Sequence, residues 1–347
     1  MSELKWTHEP LPESFDTFTI TAPYRGNIID VLGFVHDPEG RLEEPSQPVI
    51  IGAGNTYATV PYSKFPLQVA RNLNQQTGMP VVGLETLGAH GKRHDQFSYA
   101  DGYKWREFGK SAMHRSIMLT LADGLNLYER PLHHEGHSQS AMQPPHRTAA
   151  TGPEDGLDHA TATLFDPAGM RYFPRPLSLP HFATKTVAPM IIEKTLLHAA
   201  YNDENEFDPA ILKYAQDQPE LEGWDFLKYE DPRFLLERVG SRMVTPHLII
   251  TSLMRNPQMQ YVVALCAKGS NGVFSTSRSV RKFHELSIEA NVADRLHVTV
   301  LEKGAKHQVA DVAINRAKYD AAHILGSPAE AMDVINALSR NFKRPRQ

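Results

Sequence analysis

The sequence predicts an α/β fold: a mostly parallel central sheet with helices on both faces and a helical cap inserted into it. Three observations lead there. Short, continuous apolar runs such as Pro48-Val49-Ile50-Ile51 and Pro80-Val81-Val82-Gly83-Leu84 have the composition of strands buried on both faces of a parallel sheet. Helical patterns alternate with such runs up to residue 166 and again from residue 261. Between these halves, residues 169–256 hold helical patterns with no convincing strand.

The elements follow in order. Residues 18–35 read as two strands around the turn Pro23-Tyr24-Arg25-Gly26-Asn27. The run ending at Ile51 leads into Gly52-Ala53-Gly54-Asn55. Residues 65–76 suit a helix, with Phe65, Val69 and Leu73 four apart and Gly78 as the stop. After the strand at 80–84 comes a Gly- and His-rich loop. A long helical pattern over 103–126 then carries Met113, Ile117, Leu121 and Leu125 on one face. A short strand at 131–135, a helix over 139–151 and a strand over 159–166 complete the first half. Four prolines between Pro174 and Pro189 open the interruption, and helical segments at 187–201, 208–216, 231–239 and 246–254 fill it. Strands at 261–267 and 296–301 and helices at 277–290, 309–323 and 328–342 close the chain. The expected division is a core of 17–169 with 257–347, a helical cap of 170–256 and an N-terminal extension of 1–16.

Composition bounds the function. The 347 residues suffice for a sizeable core. Hydrophobic residues at 41% and charged residues at 22% are ordinary for a globular chain, and the net charge of -4 carries no basic footprint for nucleic acid. The single cysteine, Cys266, lies in an apolar run and reads as a buried strand residue. No run is long enough for a membrane span, and the polar N-terminus has no export-signal core, which points to the cytoplasm. Seventeen histidines make metal binding worth weighing.

The stretch around which the chain is organised is Pro131-Leu132-His133-His134-Glu135-Gly136-His137-Ser138-Gln139-Ser140-Ala141. Ser138 is flanked at two residues on either side by small residues, Gly136 and Ser140. A serine on a sharp strand-to-helix turn needs that pattern, because strand and helix approach closely there. Such a turn lifts the hydroxyl out of the fold and aims helical N–H groups at a developing oxyanion. Glu135 reads as a strand-end charge exposed beside it. Pro144-Pro145 should kink or delay the following helix.

In order and spacing, these motifs resemble the α/β-hydrolase superfamily over most of the chain. Gly136-His137-Ser138-Gln139-Ser140 resembles the family's nucleophile elbow after its fifth strand, with Ser140 where glycine is usual. The resemblance implies that Ser138 is the nucleophile. It makes His307, after the strand and Gly304-bearing loop near the end, the general base. It makes the N–H groups of Asn55 and Gln139 the oxyanion donors, Gly52-Ala53-Gly54-Asn55 resembling the family's His-Gly loop. The family usually carries its acid after the seventh strand, where this chain reads Lys268-Gly269-Ser270-Asn271-Gly272 with no carboxylate. Two orienters stay open: Asn271 in that loop, and Asp166 at the end of the sixth strand, a position some members use.

Other chemistries also stay open. The glycine turn at 52–55 could cradle a phosphate, although the third glycine of a dinucleotide fingerprint is missing. His133, His134, His137 and His146 could hold zinc, but adjacent histidines on a strand point to opposite faces. His90 and His94, with Asp95 nearby, lie in a Gly-containing loop. The expected activity is hydrolysis of a small-molecule acyl ester through an acyl-enzyme on Ser138, with neither cofactor nor metal. Acyl transfer on the same fold and a non-catalytic binding protein are the alternatives. A homo-oligomer is left open.

Overall fold

The computed structural model describes residues 2–7, 12, 14–24, 27–53, 64–85, 109–138, 140–167, 169–170, 207–217, 244–266, 277–301 and 313–341. Its strands are β1 (Glu3–Thr7), β2 (Phe15–Tyr24), β3 (Asn27–His36), β4 (Val49–Ala53), β5 (Val81–Leu84), β6 (Pro131–His137), β7 (Asp158–Phe165), β8 (Gln260–Leu265) and β9 (Leu296–Val300). Its helices are α1 (Lys64–Thr77), α2 (Gly109–Leu125), α3 (Gln143–Ala150), α4 (Pro209–Asp217), α5 (Val244–Arg255), α6 (Ser277–Glu289), α7 (Ala313–Leu325) and α8 (Pro328–Asn341). The strands form one nine-stranded sheet in the order β1-β2-β3-β5-β4-β6-β7-β8-β9. From β5 to β9 all neighbours are parallel, while β1, β2 and β3 join as an antiparallel edge. This is the mostly parallel, helix-covered sheet that the alternation predicts.

The apolar runs are buried on both sides because successive residues serve opposite layers. On β4, Ile50 packs with Leu67 and Leu73 of α1 and Ala317 of α7, while Val49 and Ile51 pack with Met113, Ile117 and Leu121 of α2. On β8, Val262 and Ala264 meet Tyr319 of α7 and Ile335 of α8. Tyr261 and Val263 meet Ile249 and Leu253 of α5 and Phe283 of α6. A fully buried leucine or isoleucine contributes roughly 1.5–3 kcal/mol, so each β4 and β8 residue pins a helix to a defined face.

Two segments differ from the expectation in informative ways. Residues 3–7, inside the stretch read as an N-terminal extension, form edge strand β1, in register from Glu3↔Thr21 to Thr7↔Thr17. Only Leu4 and Trp6 mark it, too short an alternation to stand out among polar residues; Leu4 packs against the α2 core, and Trp6 meets Phe18 edge-on at 5.9 Å. Within residues 170–256, α4 packs Ile211 and Tyr214 into the cluster around α1, and α5 packs Ile249 and Leu253 against β7 and β8. The helices expected at 187–201 and 231–239 lie outside the described residues.

Candidate active site

The turn after β6 has the geometry its sequence predicts. Ser138 follows the strand with φ 59°, in the left-handed region that a non-glycine residue rarely occupies. Its N–H donates to Phe165 O at 2.9 Å, tying the turn to the end of β7. A Cβ on Gly136 would lie 2.6 Å from Ala141 Cα, so only glycine lets strand and turn approach this closely. Ser140, standing where the resembled motif has glycine, closes the turn itself. Its Oγ donates to His137 O at 2.7 Å and receives the His137 N–H at 3.3 Å. The small residue is thus replaced by a hydrogen-bonding one that braces the turn.

The two prolines delay the helix as expected. A 3₁₀ turn spans Ser140–Met142, and α3 starts only at Gln143, which places Pro144 and Pro145 in its first turn. N–H groups there have no helical acceptor, so the prolines cost nothing and preset the backbone.

Parallel pairing sets Asp166 beside Ser138. His137 pairs with Phe165, so the residues that follow, Ser138 and Asp166, leave neighbouring strands at the same edge of the sheet. Asp166 also has positive φ, 40°, and is fully buried. Its N–H donates to Ala264 O at 2.7 Å, and its Oδ1 accepts the Cys266 N–H at 3.2 Å. The carboxylate is thereby anchored across the ends of β7 and β8. Cys266 is buried, as its apolar surroundings predict. Ser138 and Asp166 are therefore brought together at one sheet edge. His307, Asn271, Asn55 and Gln139 lie outside the described residues, as do His90, His94 and Asp95.

Glu135 departs from the expectation of an exposed strand-end charge. It is buried and ion-paired with Arg316, which stands in the first turn of α7 and is itself buried. Arg316 Nε also lies 3.8 Å from Asp320 Oδ2, one turn further along the helix. Burial first, and the Glu135 charge second, push the Asp320 carboxyl well above the usual carboxylate range. Sequence reasoning passed over both α7 residues. The signal was present: Arg316 and Asp320 fall on the stripe of Ala313, Ala317 and Ala321 that faces the sheet.

The histidines of β6 divide as strand geometry requires. His134 Nε2 lies 2.9 Å from His159 Nδ1, and His159 Nε2 lies 2.9 Å from Thr151 Oγ1. His133 Nδ1 meets Thr161 Oγ1 at 2.8 Å. His146 stacks on His114 at 4.9 Å, and His137 leans on Phe165 at 5.5 Å. Burial lowers His133 to about 4 and His159 to about 3, and it drives His134 well below 6.5. These side chains are spent on separate contacts, and no group of three or more His, Cys, Asp or Glu suited to a metal ion occurs among the described residues. Among the same residues, no helix is long and apolar enough to cross a membrane.

No protein-family model matches the chain. No curated protein matches it in sequence. Solved structures do match. A peroxisomal alpha-beta-hydrolase from Saccharomyces cerevisiae aligns over 96% of this chain and 89% of its own, with a TM-score of 0.52 at 12% identity. A thermostable carboxyl esterase from Bacillus coagulans aligns over 90% of this chain and 99% of its own, at TM-score 0.48 and 14% identity. With the strand order, the left-handed serine between β6 and α3 and the first of these overall matches, the chain has the α/β-hydrolase fold.

Proposed function

We propose that the protein is a serine hydrolase that cleaves a small-molecule acyl ester through an acyl-enzyme on Ser138. The observation that carries this reading is the strained turn: a serine at φ 59°, backed by a glycine against Ala141 and leading through a 3₁₀ turn into α3. Left-handed φ at a serine costs on the order of 1–3 kcal/mol, and such strain persists where the surrounding structure enforces it. Here the Ser138 N–H to Phe165 bond and the Ser140 brace enforce it.

The chemistry follows from the residues. A serine hydroxyl attacks an ester carbonyl only as a base takes its proton. His307 takes that proton and returns it to the leaving alcohol, and water then repeats the sequence to release the acid. The N–H groups of Asn55 and Gln139 receive the oxyanion. The third member is Asp166 or Asn271. Asp166 is favoured by its place beside Ser138 and by its charge, since a carboxylate stabilises imidazolium and an amide only orients it.

The test is turnover of p-nitrophenyl acetate. Wild-type protein should release p-nitrophenol with saturation, and Asp166→Asn should lower kcat by roughly 10³–10⁴-fold. Asn271→Ala should change kcat less than about tenfold. The opposite ranking would make Asn271 the orienter, and absence of wild-type turnover would remove ester hydrolysis from the reading.

A further inference from the structure

We propose that the buried Glu135–Arg316 pair is a positioning device for the reaction, clamping together the three chain segments that present the nucleophile, the oxyanion donors and the general base. This inference rests on the hydrolase reading of Ser138, His307 and Asn55.

The contacts of a single carboxylate carry it. Glu135 lies on β6, three residues before Ser138. Its Oε1 occupies the space over Gly52, where a Cβ would lie 2.5 Å away. Gly52 is the penultimate residue of β4, three before Asn55. Glu135 Oε2 accepts from Arg316 Nη2. Arg316 stands in the first turn of α7, the helix that the His307 segment enters six residues further on, at Ala313. One side chain therefore touches β4, β6 and α7, the elements that lead into all three parts of the proposed machinery.

The pairing is also specific. Two carboxylates flank one guanidinium, yet Arg316 Nη2 bonds Glu135, while Asp320 sits 3.8 Å from Nε. Glycine at position 52 leaves room for the carboxylate, whose Oε1 would have to shift to admit a Cβ there. A buried pair is a weak source of net stability compared with an apolar replacement. A geometric role fits that cost. Displacing reacting groups by about 1 Å lowers rates by about 10²-fold.

The experiment compares wild type, Glu135→Gln and Arg316→Lys in the full chain. Glu135→Gln keeps an oxygen acceptor for Arg316, and Arg316→Lys keeps the cation but loses the guanidinium fork. Active sites are counted by fluorophosphonate labelling, and p-nitrophenyl acetate kinetics are expressed per labelled site. In Glu135→Gln, kcat per site should fall about 30–100-fold with KM within about threefold, and Arg316→Lys should fall less. A purely structural role would lower the melting temperature and the number of sites, leaving kcat per site unchanged. Values within twofold of wild type in either folded variant overturn the proposal. Arg316→Lys alone decides the matter if Glu135→Gln does not accumulate. A wild type that is not labelled at Ser138 is a failure of the hydrolase reading, distinct from a labelled wild type whose variants keep full kcat.

Discussion

Lowering the pH from 7 to 5 should lower the protein's folding stability. Five histidines in the described structure are buried with depressed basicity, and one of them, His134, lies well below 6.5. His36 and His133 are lowered to about 4, and His159 and His323 to about 3, burial being the first cause in each case. In the unfolded chain each regains an ordinary value near 6.5. Between the two values the unfolded chain binds more protons, so stability falls as pH drops below about 6.5 and keeps falling until the folded value is reached. At pH 5 the loss is on the order of 2 kcal/mol for a single such histidine. Asp320 acts in the opposite direction, because its raised folded value adds stability as the pH falls, and offsets part of the loss. Urea unfolding followed by circular dichroism at pH 7, 6 and 5 measures the slope. A steep decline, with net uptake of protons on unfolding, is expected. A flat profile from pH 7 to 5 would show that these histidines are not held neutral. His323→Asn should make it shallower by one histidine's share, since the amide can still meet Thr163 Oγ1, which now lies 2.7 Å from His323 Nδ1.

Ser138→Ala should abolish turnover almost completely, and adding His307→Ala should change little more. A nucleophile and its base act as one unit, because neither serves without the other. The single substitutions should each lower kcat by roughly 10⁴–10⁶-fold, and the double variant should fall to the same floor. Stability should stay near wild type in Ser138→Ala, since the turn is held by the backbone N–H of residue 138 and by Ser140, not by the Ser138 hydroxyl. Steady-state rates on p-nitrophenyl acetate decide it. Losses that multiply in the double variant would mean that the two residues contribute separately.

The core was legible in the sequence because its signals are local and periodic. Residues 49–53, 81–84 and 261–265 are apolar runs, and burial on both faces produces such runs directly. The elbow was legible because the turn imposes a small residue at a fixed spacing, and Gly136 meets Ala141 as required. The delay of α3 by Pro144 and Pro145 was legible for the same reason: proline acts on its own backbone. What escaped notice depends on contacts between distant residues. Glu135 and Arg316 are separated by 181 positions, and nothing near Glu135 in sequence marks its burial. The pairing needs β6 and α7 to be placed first. Edge strand β1 escaped for another reason. With one face open, its alternation reduces to Leu4 and Trp6. Ser140 shows a third case, since its reading as a small residue missed the hydrogen bonds its hydroxyl makes to the turn.

The most direct test of the account is covalent labelling of the intact protein with a fluorophosphonate, followed by digestion and mass spectrometry of the peptide that contains residue 138. The account predicts stoichiometric modification of Ser138, no labelling of Ser138→Ala, and strongly slowed labelling of His307→Ala. Labelling that persists in Ser138→Ala, or a wild-type protein that stays unmodified under conditions that label other serine hydrolases, would contradict it.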